Sequence, residues 1–291
     1  MVLSGGVLVR ILVIASGSKG NAIYVGMGNA RFLIDAGVSQ RRIRKALASI
    51  GESPERLTGI LLTHEHRDHI AGLKTLERQC SLPIFSRRKT LMALPRSYEI
   101  PETCMHAVEE PFRINGVDVT AFNIPHDAAA PVGWRLEGDG CFVSLTDLGF
   151  VTSSVQSAIE GADVLVIEAN HDPDMLRDGS YPWPLKQRIL GNRGHLANSD
   201  AAWALLRMRK KPEAVFLAHL SEHNNTPEVA QRTVSDVLMR QGQEELASSI
   251  RVACQTESVG GVFGGNNEEF EELSLFGSMP VSYTHLTLPT K

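Results

Sequence analysis

Leu61-Leu62-Thr63-His64-Glu65-His66-Arg67-Asp68-His69-Ile70-Ala71-Gly72-Leu73 decides the reading of this chain. The apolar run before it reads as a strand that ends at Thr63, and a helix is expected from about Ile70. Between them, three histidines and one aspartate fall in six positions. Packing so many polar groups among Leu61, Leu62, Ile70 and Leu73 is costly unless each finds a partner. A metal ion supplies such partners. In an extended turn, residues two apart point the same way, so His64 and His66 can reach one ion. Asp68 and His69, at the start of the helix, turn aside and can reach a second. Imidazole with carboxylate suits zinc or manganese.

Outward from this stretch, short apolar runs alternate with amphipathic ones. Strands are expected at Val7–Ile14, Ala22–Val25, Arg31–Ile34, Gly59–Leu62, Pro83–Phe85, Val117–Phe122, Gly133–Leu136, Cys141–Thr146, Val164–Glu168, Ala214–Ala218 and Ile250–Cys254. Helices are expected from Ser39, as cap, to Ile50, and over Ile70–Gln79 and Ser153–Ile159. Two more are expected over Ser199–Arg209, capped by Ser199, and over Pro227–Arg240, capped by Thr226. Without a repeat or a low-complexity linker, this pattern gives one α/β (α+β) domain: two sheets face to face with helices outside. The domain is expected over residues 7–264. Residues 265–291 form an acidic tail expected to pack poorly, and its end, 277–291, resembles translated sequencing adapter more than native sequence.

Composition narrows the function. The chain has 291 residues, 43% of them hydrophobic and 21% charged, which excludes wholesale disorder and fibrous repeats. No apolar run approaches the ~20 residues of a membrane span, so no membrane partner is expected. The four cysteines (Cys80, Cys104, Cys141, Cys254) are scattered without paired spacing. That pattern suggests a reducing cytoplasm and no cysteine metal site. The net charge of −4 falls to −1 once residues 265–291, with four Glu and one Lys, are set aside. The charge balance therefore does not oppose a nucleic-acid partner. Nothing in the sequence sets the oligomeric state.

The pattern His-x-His-x-Asp-His resembles the metallo-β-lactamase-fold superfamily, and three later strand ends fit it: His126 in Ile124-Pro125-His126-Asp127, Asp147 in Thr146-Asp147-Leu148-Gly149, and His219 in Ala218-His219-Leu220. The resemblance implies a four-layer αββα sandwich holding two divalent metal ions, zinc or manganese. It assigns His64, His66, His126 and Asp147 to one ion. Asp68, His69, Asp147 and His219 go to the other, with Asp147 as the bridge. Asp35, in Leu33-Ile34-Asp35-Ala36-Gly37, resembles the superfamily aspartate that orients a ligand histidine. Further strings bring the chain closer to one branch: Ser16-Gly17-Ser18-Lys19-Gly20-Asn21, Glu168-Ala169-Asn170-His171-Asp172, Gly194-His195-Leu196-Ala197-Asn198-Ser199 and Leu220-Ser221-Glu222-His223-Asn224-Asn225. Together they resemble the WalJ/YycJ family of exonucleases, from about Val9 to Gly264. Ala197 stands where Ser is expected, and His223 where an acidic residue is common.

The resemblance implies a 5′-to-3′ DNA exonuclease in which a hydroxide shared by two metals attacks phosphorus in line. Asp68 and His195 are the expected catalytic residues. His195, beside a helix start, would bind phosphate or protonate the leaving oxygen. His171 is expected to have a structural role or to support a ligand. Ser18, Asn21, Lys186, Arg188, Asn198 and Asn225 are expected to bind substrate, Lys186 and Arg188 as part of a phosphate track. Two other readings use the same residues: a small-molecule hydrolase of thioesters, lactones or cyclic phosphodiesters, and a non-catalytic regulator stabilised by metal. A ribonuclease with a whole second domain inserted is disfavoured, because no long insertion interrupts the chain.

Overall fold

The computed structural model describes residues 9–264, and the expectations for residues 7–8 and for the 265–291 tail lie outside them. The chain builds one sheet, crosses to a second and returns. β1 (Val9–Ala15), β2 (Ala22–Met27), β3 (Ala30–Ile34), β4 (Gly59–Leu61), β5 (Ile84–Ser86) and β6 (Met105–Ala107) lie side by side in chain order. The second sheet takes β7 (Phe112–Ile114), β8 (Val117–Asn123), β9 (Val132–Glu137), β10 (Cys141–Leu145), β11 (Val164–Glu168), β12 (Ala214–Ala218) and β13 (Ile250–Val252). β14 (Val259–Phe263) then closes the first sheet beside β1.

Both sheets follow one plan. Pairs are antiparallel from β14 through β3 and parallel from β3 to β6. They are likewise antiparallel from β7 through β10 and parallel from β10 to β13. Among the strands in parallel pairs, β4, β5, β10, β11 and β12 are buried at every residue, so they read as continuous apolar runs. Alternation divides β1 between two cores. Ile11 and Val13 face the second sheet with Phe32, Trp134, Phe142 and Phe216. Leu12 and Ile14 face outward, among Ile43 and Leu47 of α1 (Gln40–Ser49). Beyond the second sheet, Val143, Leu165 and Leu217 pack under α5 (Ser153–Ile159), α8 (Asn198–Arg207) and α9 (Pro227–Arg240). The order is helices, sheet, sheet, helices, the expected αββα sandwich.

Several local expectations change. The helix expected over Ile70–Gln79 is two helices, α2 (Arg67–Ile70) and α3 (Leu73–Cys80), separated at Gly72. Gly72 N donates to Ala36 O at 2.7 Å, which pins the break against the loop after β3. Ser39 and Thr226 cap α1 and α9, accepting from Arg42 N and Val229 N. Ser199 does not cap α8: the helix starts at Asn198, after Ala197, with no side-chain cap. β6, β7, β14 and the short helix α4 (Arg88–Ala93) were not expected. β14 is Val-Gly-Gly-Val-Phe, and a Cβ at Gly260 would lie 2.1 Å from Ile11 O, so close strand approach removes the side chains that periodicity needs.

Candidate metal centre

Most residues expected at the centre sit just after a strand ends, with Asp68 and His69 in the short helix α2. Asp35 follows β3, the histidine stretch follows β4, Asp147 follows β10 and His219 follows β12. Asp35, Asp147 and His219 have φ of +59°, +60° and +55°, left-handed values uncommon outside glycine. Such conformations cost about 1–3 kcal/mol each, and surrounding contacts hold them at functional sites. For Asp35 those contacts are visible: its N donates to Leu61 O, and its carboxylate takes Thr63 N at 2.8 Å. Gly37 allows the loop to close, since a Cβ there would lie 1.6 Å from Asp68 O.

The seven expected ligands form one cluster. His64, His66 and His126 bring ring nitrogens together, His64 and His69 share Asp147, and Asp68 lies with His69 and His219; within each group the donor atoms are within 4.8 Å of one another. His69 Nε2 lies 3.1 Å from Asp147 Oδ2 and 3.4 Å from Asp68 Oδ2, and His219 Nε2 lies 3.4 Å from Asp68 Oδ2. The His64 ring centre is 4.1 Å from that of His69 and 4.6 Å from that of His66. Among the described residues, His64 Nε2 and Asp147 Oδ2 are buried without a hydrogen-bond partner. An orphaned buried polar atom costs about 1–3 kcal/mol. Two such atoms, in a cluster of nitrogen and oxygen donors, fit a divalent cation.

The charge environment agrees. Burial, then His69 close by, pushes the His64 pKa well below its ordinary value, so its ring is neutral as a ligand must be. Burial would push His69 down too, but Asp35, Asp147 and Asp68 overcome it and hold its pKa well above the ordinary value; a bound cation would take the place of that proton. Burial would raise Asp68, but His69 and His219 hold it below the usual carboxylate range.

Two buried carboxylates brace the histidines. Asp35 Oδ2 accepts from His69 Nδ1 at 2.7 Å, which turns Nε2 toward Asp68 and Asp147. Glu168, the last residue of β11, braces the other side. Its Oε1 accepts from His195 Nδ1 at 2.9 Å and His219 Nδ1 at 2.8 Å. Its Oε2 accepts from Leu148 N and Leu196 N at 3.0 and 2.9 Å. Burial opposes the charge on Glu168, but His195 and His219 prevail and bring its pKa to about 2. The sequence around Glu168 assigns it no role. The available signal was a carboxylate closing a strand buried at every residue.

The expected substrate residues separate. Ser18 is exposed in the loop after β1, and Arg188 is exposed in α7 (Trp183–Ile189), its Nε bonded to Asp127 Oδ2 at 2.7 Å. His195 is partly exposed beside them. The other four are buried. Lys186 is buried, its Nζ donating to Arg177 O and Gly179 O at 2.7 Å each, so it closes the end of α6 (Pro173–Asp178) instead of tracking phosphate. Asn198 and Asn225 are buried and bonded to each other at 3.0 and 2.9 Å, and Asn225 also donates to Ala169 O. Asn21 is buried: its Oδ1 accepts from Gly17 N at 2.9 Å, and its Nδ2 reaches Asp68 Oδ2 at 3.3 Å. It therefore steadies Asp68. His171 is buried with Nδ1 unpartnered among the described residues, and burial lowers its pKa to about 4. Its main-chain oxygen receives Asn198 N, a structural role in the loop.

The chain is similar to several known proteins. Residues 30–220 match the family described as the beta-lactamase superfamily domain. The chain is 40% identical over 233 residues to the exodeoxyribonuclease WalJ of Streptococcus pneumoniae serotype 2, covering 78% of this chain and 87% of that one. It is 38% identical over 235 residues to the exodeoxyribonuclease YycJ of Bacillus anthracis, covering 79% and 89%. Among solved structures, the metallo-beta-lactamase fold protein YhfI of Bacillus subtilis superposes with a TM-score of 0.63 at 17% identity, over 87% of this chain and 99% of that one, a likeness of fold.

Proposed function

The chain belongs to the β-lactamase superfamily, within the family of the WalJ and YycJ exodeoxyribonucleases, and we propose that it removes nucleotides from DNA ends, 5′ to 3′, as a dinuclear metal-dependent phosphodiesterase. One observation carries this reading: seven His and Asp side chains gather at strand ends in a chain 40% identical to an exodeoxyribonuclease. His64, His66, His126 and Asp147 would hold one ion, and Asp68, His69, Asp147 and His219 the other. Two bound zinc or manganese ions would polarise the phosphate and lower the pKa of the attacking water.

The chain's own residues supply the rest. Asp35 and Glu168 fix the Nδ1 protons of His69 and His219, so each ring presents Nε2 to the cluster. Asp68 is held in place by Asn21. His195 gives its Nδ1 proton to Glu168 as a hydrogen bond, which leaves its Nε2 edge to hold a proton for the leaving oxygen. Burial opposes charge on His195, but Glu168 and Asp147 raise its pKa above the ordinary value, which suits a proton donor. No helix among the described residues is long and apolar enough to cross a membrane, and a cytoplasmic setting fits a DNA substrate.

The test is a cleavage panel with zinc- or manganese-loaded protein. End-labelled single- and double-stranded DNA and RNA, bis-p-nitrophenyl phosphate, a thioester and a lactone are compared. The expected result is release of mononucleotides from DNA ends. Thioester or lactone turnover without DNA cleavage would replace the nuclease reading with a small-molecule hydrolase.

A further inference from the structure

We propose that a small cavity beside His195 is a subsite for the terminal phosphate monoester of a nucleic-acid chain, and that it directs cleavage to a 5′ end. The inference rests on the nuclease reading above. The cavity has a volume of about 150 Å³, and Ser18, Asn170, Tyr181, Arg188, His195 and Ser221 line it together with aliphatic side chains of α7. That is the room of about five waters at roughly 30 Å³ each. It is half of the roughly 300 Å³ at which pockets for whole small ligands begin. A phosphate fits this space.

Arg188 and Ser221 bring donors to it. Asp127 holds Nε of Arg188, and the two terminal nitrogens of that guanidinium have no protein partner among the described residues. Ser221 is buried, 6% exposed. Its Oγ accepts from Asn224 N at 3.2 Å and Asn224 Nδ2 at 3.3 Å, and its own proton meets no acceptor among the described residues. His195 borders the cavity with Nδ1 committed to Glu168, and its Nε2 edge serves the leaving oxygen, not the terminal phosphate. No carboxylate lines the cavity. A monoester offers three terminal oxygens and nearly two charges to such a set. A diester inside a chain offers two oxygens and one charge, and it continues on both sides.

Topology places this cavity at the edge of the metal cluster. The chain leaves β11 at Glu168, folds through α6 and α7, and returns at His195, which shares the Glu168 carboxylate with His219. The excursion brings Tyr181 and Arg188 against Ser18 from the loop after β1 and Ser221 from the loop after β12. Gly194 permits the return, since a Cβ there would lie 2.1 Å from Ile189 O. A phosphate held in this cavity would leave the next linkage toward His195 and the ligands.

The experiment measures binding apart from turnover. Metal-loaded protein is titrated with phosphorothioate-linked single strands, which resist cleavage, carrying a 5′-phosphate, a 5′-hydroxyl or a 3′-phosphate. The 5′-phosphorylated strand is expected to bind about tenfold tighter than the 5′-hydroxyl strand. Arg188→Gln and Ser221→Ala are each expected to bring that ratio close to one, with melting curves to confirm that both variants fold. Equal binding of the two 5′ ends by the unaltered protein overturns the proposal. So does a preference for the 3′-phosphate, or a ratio unchanged in Arg188→Gln. DNA cleavage is scored separately: its absence with the binding ratio intact would overturn the nuclease reading and leave the subsite standing.

Discussion

The two sheets are built on the same plan, yet they spend their strand ends differently. In the first, β3 ends in Asp35, which braces His69, and the neighbouring β4 leads into the ligand stretch from His64 to His69. In the second, β10 leads to Asp147, which sits within the ligand cluster, and the neighbouring β11 ends in the brace Glu168. Both aspartates have φ near +60°. The same backbone corner thus serves as brace in one half and as proposed ligand in the other. What separates them is company. Asp35 takes donors from Thr63 and His69 on both oxygens, while Asp147 Oδ2 has no hydrogen-bond partner among the described residues.

Substitutions at these corners break the comparison most strongly at Asp147. Asp147→Ala combined with His64→Ala is expected to lower cleavage at least ~10³-fold, read with end-labelled DNA. The melting temperature should show a folded protein. Undiminished cleavage would refute the metal mechanism. The two braces should then differ in degree. Glu168→Gln disturbs His195 and His219 together, and about 100-fold loss of activity or metal affinity is expected; Asp35→Asn disturbs one histidine, with about tenfold. Titration with a chelator and kcat measurements order the two. A larger effect at Asp35 would show that sharing one carboxylate between two histidines gives Glu168 no special weight.

Smaller effects sharpen the second half. His171 has a folded-state pKa of about 4 against an ordinary 6.5, because burial favours its neutral ring. Its contribution to stability is therefore complete above pH 6.5 and is lost as pH falls from 6.5 toward 4. His171→Asn should remove on the order of 2 kcal/mol of that acid dependence in urea melts at pH 7 and pH 4.5. Lys186→Met should cost about 1–2 kcal/mol of stability, through two unpaired carbonyls, and leave the salt dependence of DNA binding unchanged. Arg188→Gln should instead reduce the salt slope by about one. A flattened slope in Lys186→Met would return that lysine to the phosphate track.

The fold and the proposed ligands were legible because their signals are local. Three histidines and an aspartate in six positions stand out in any context, and buried parallel strands announce themselves as apolar runs. Glu168 was not legible as a brace, since an acid after an apolar run looks like any turn residue until His195 and His219, 27 and 51 positions away, fold onto it. Lys186 reads differently in the sequence and in the fold. Its sequence neighbours suggested a basic track, while the exposed C-terminal carbonyls of α6, visible only in the fold, claim its ammonium group. Asn198 and Asn225 satisfy each other across 27 residues, a pairing with no local trace. β14 escaped because glycine carries no periodicity.

The most direct test of the central claim is the product pattern from 5′-labelled linear DNA beside a circular single strand of the same sequence, with metal-loaded protein. The account predicts labelled mononucleotide from the earliest times, no cut in the circle, and neither product from Asp147→Ala. Internal fragments from the circle, or cleavage surviving in Asp147→Ala, would contradict it.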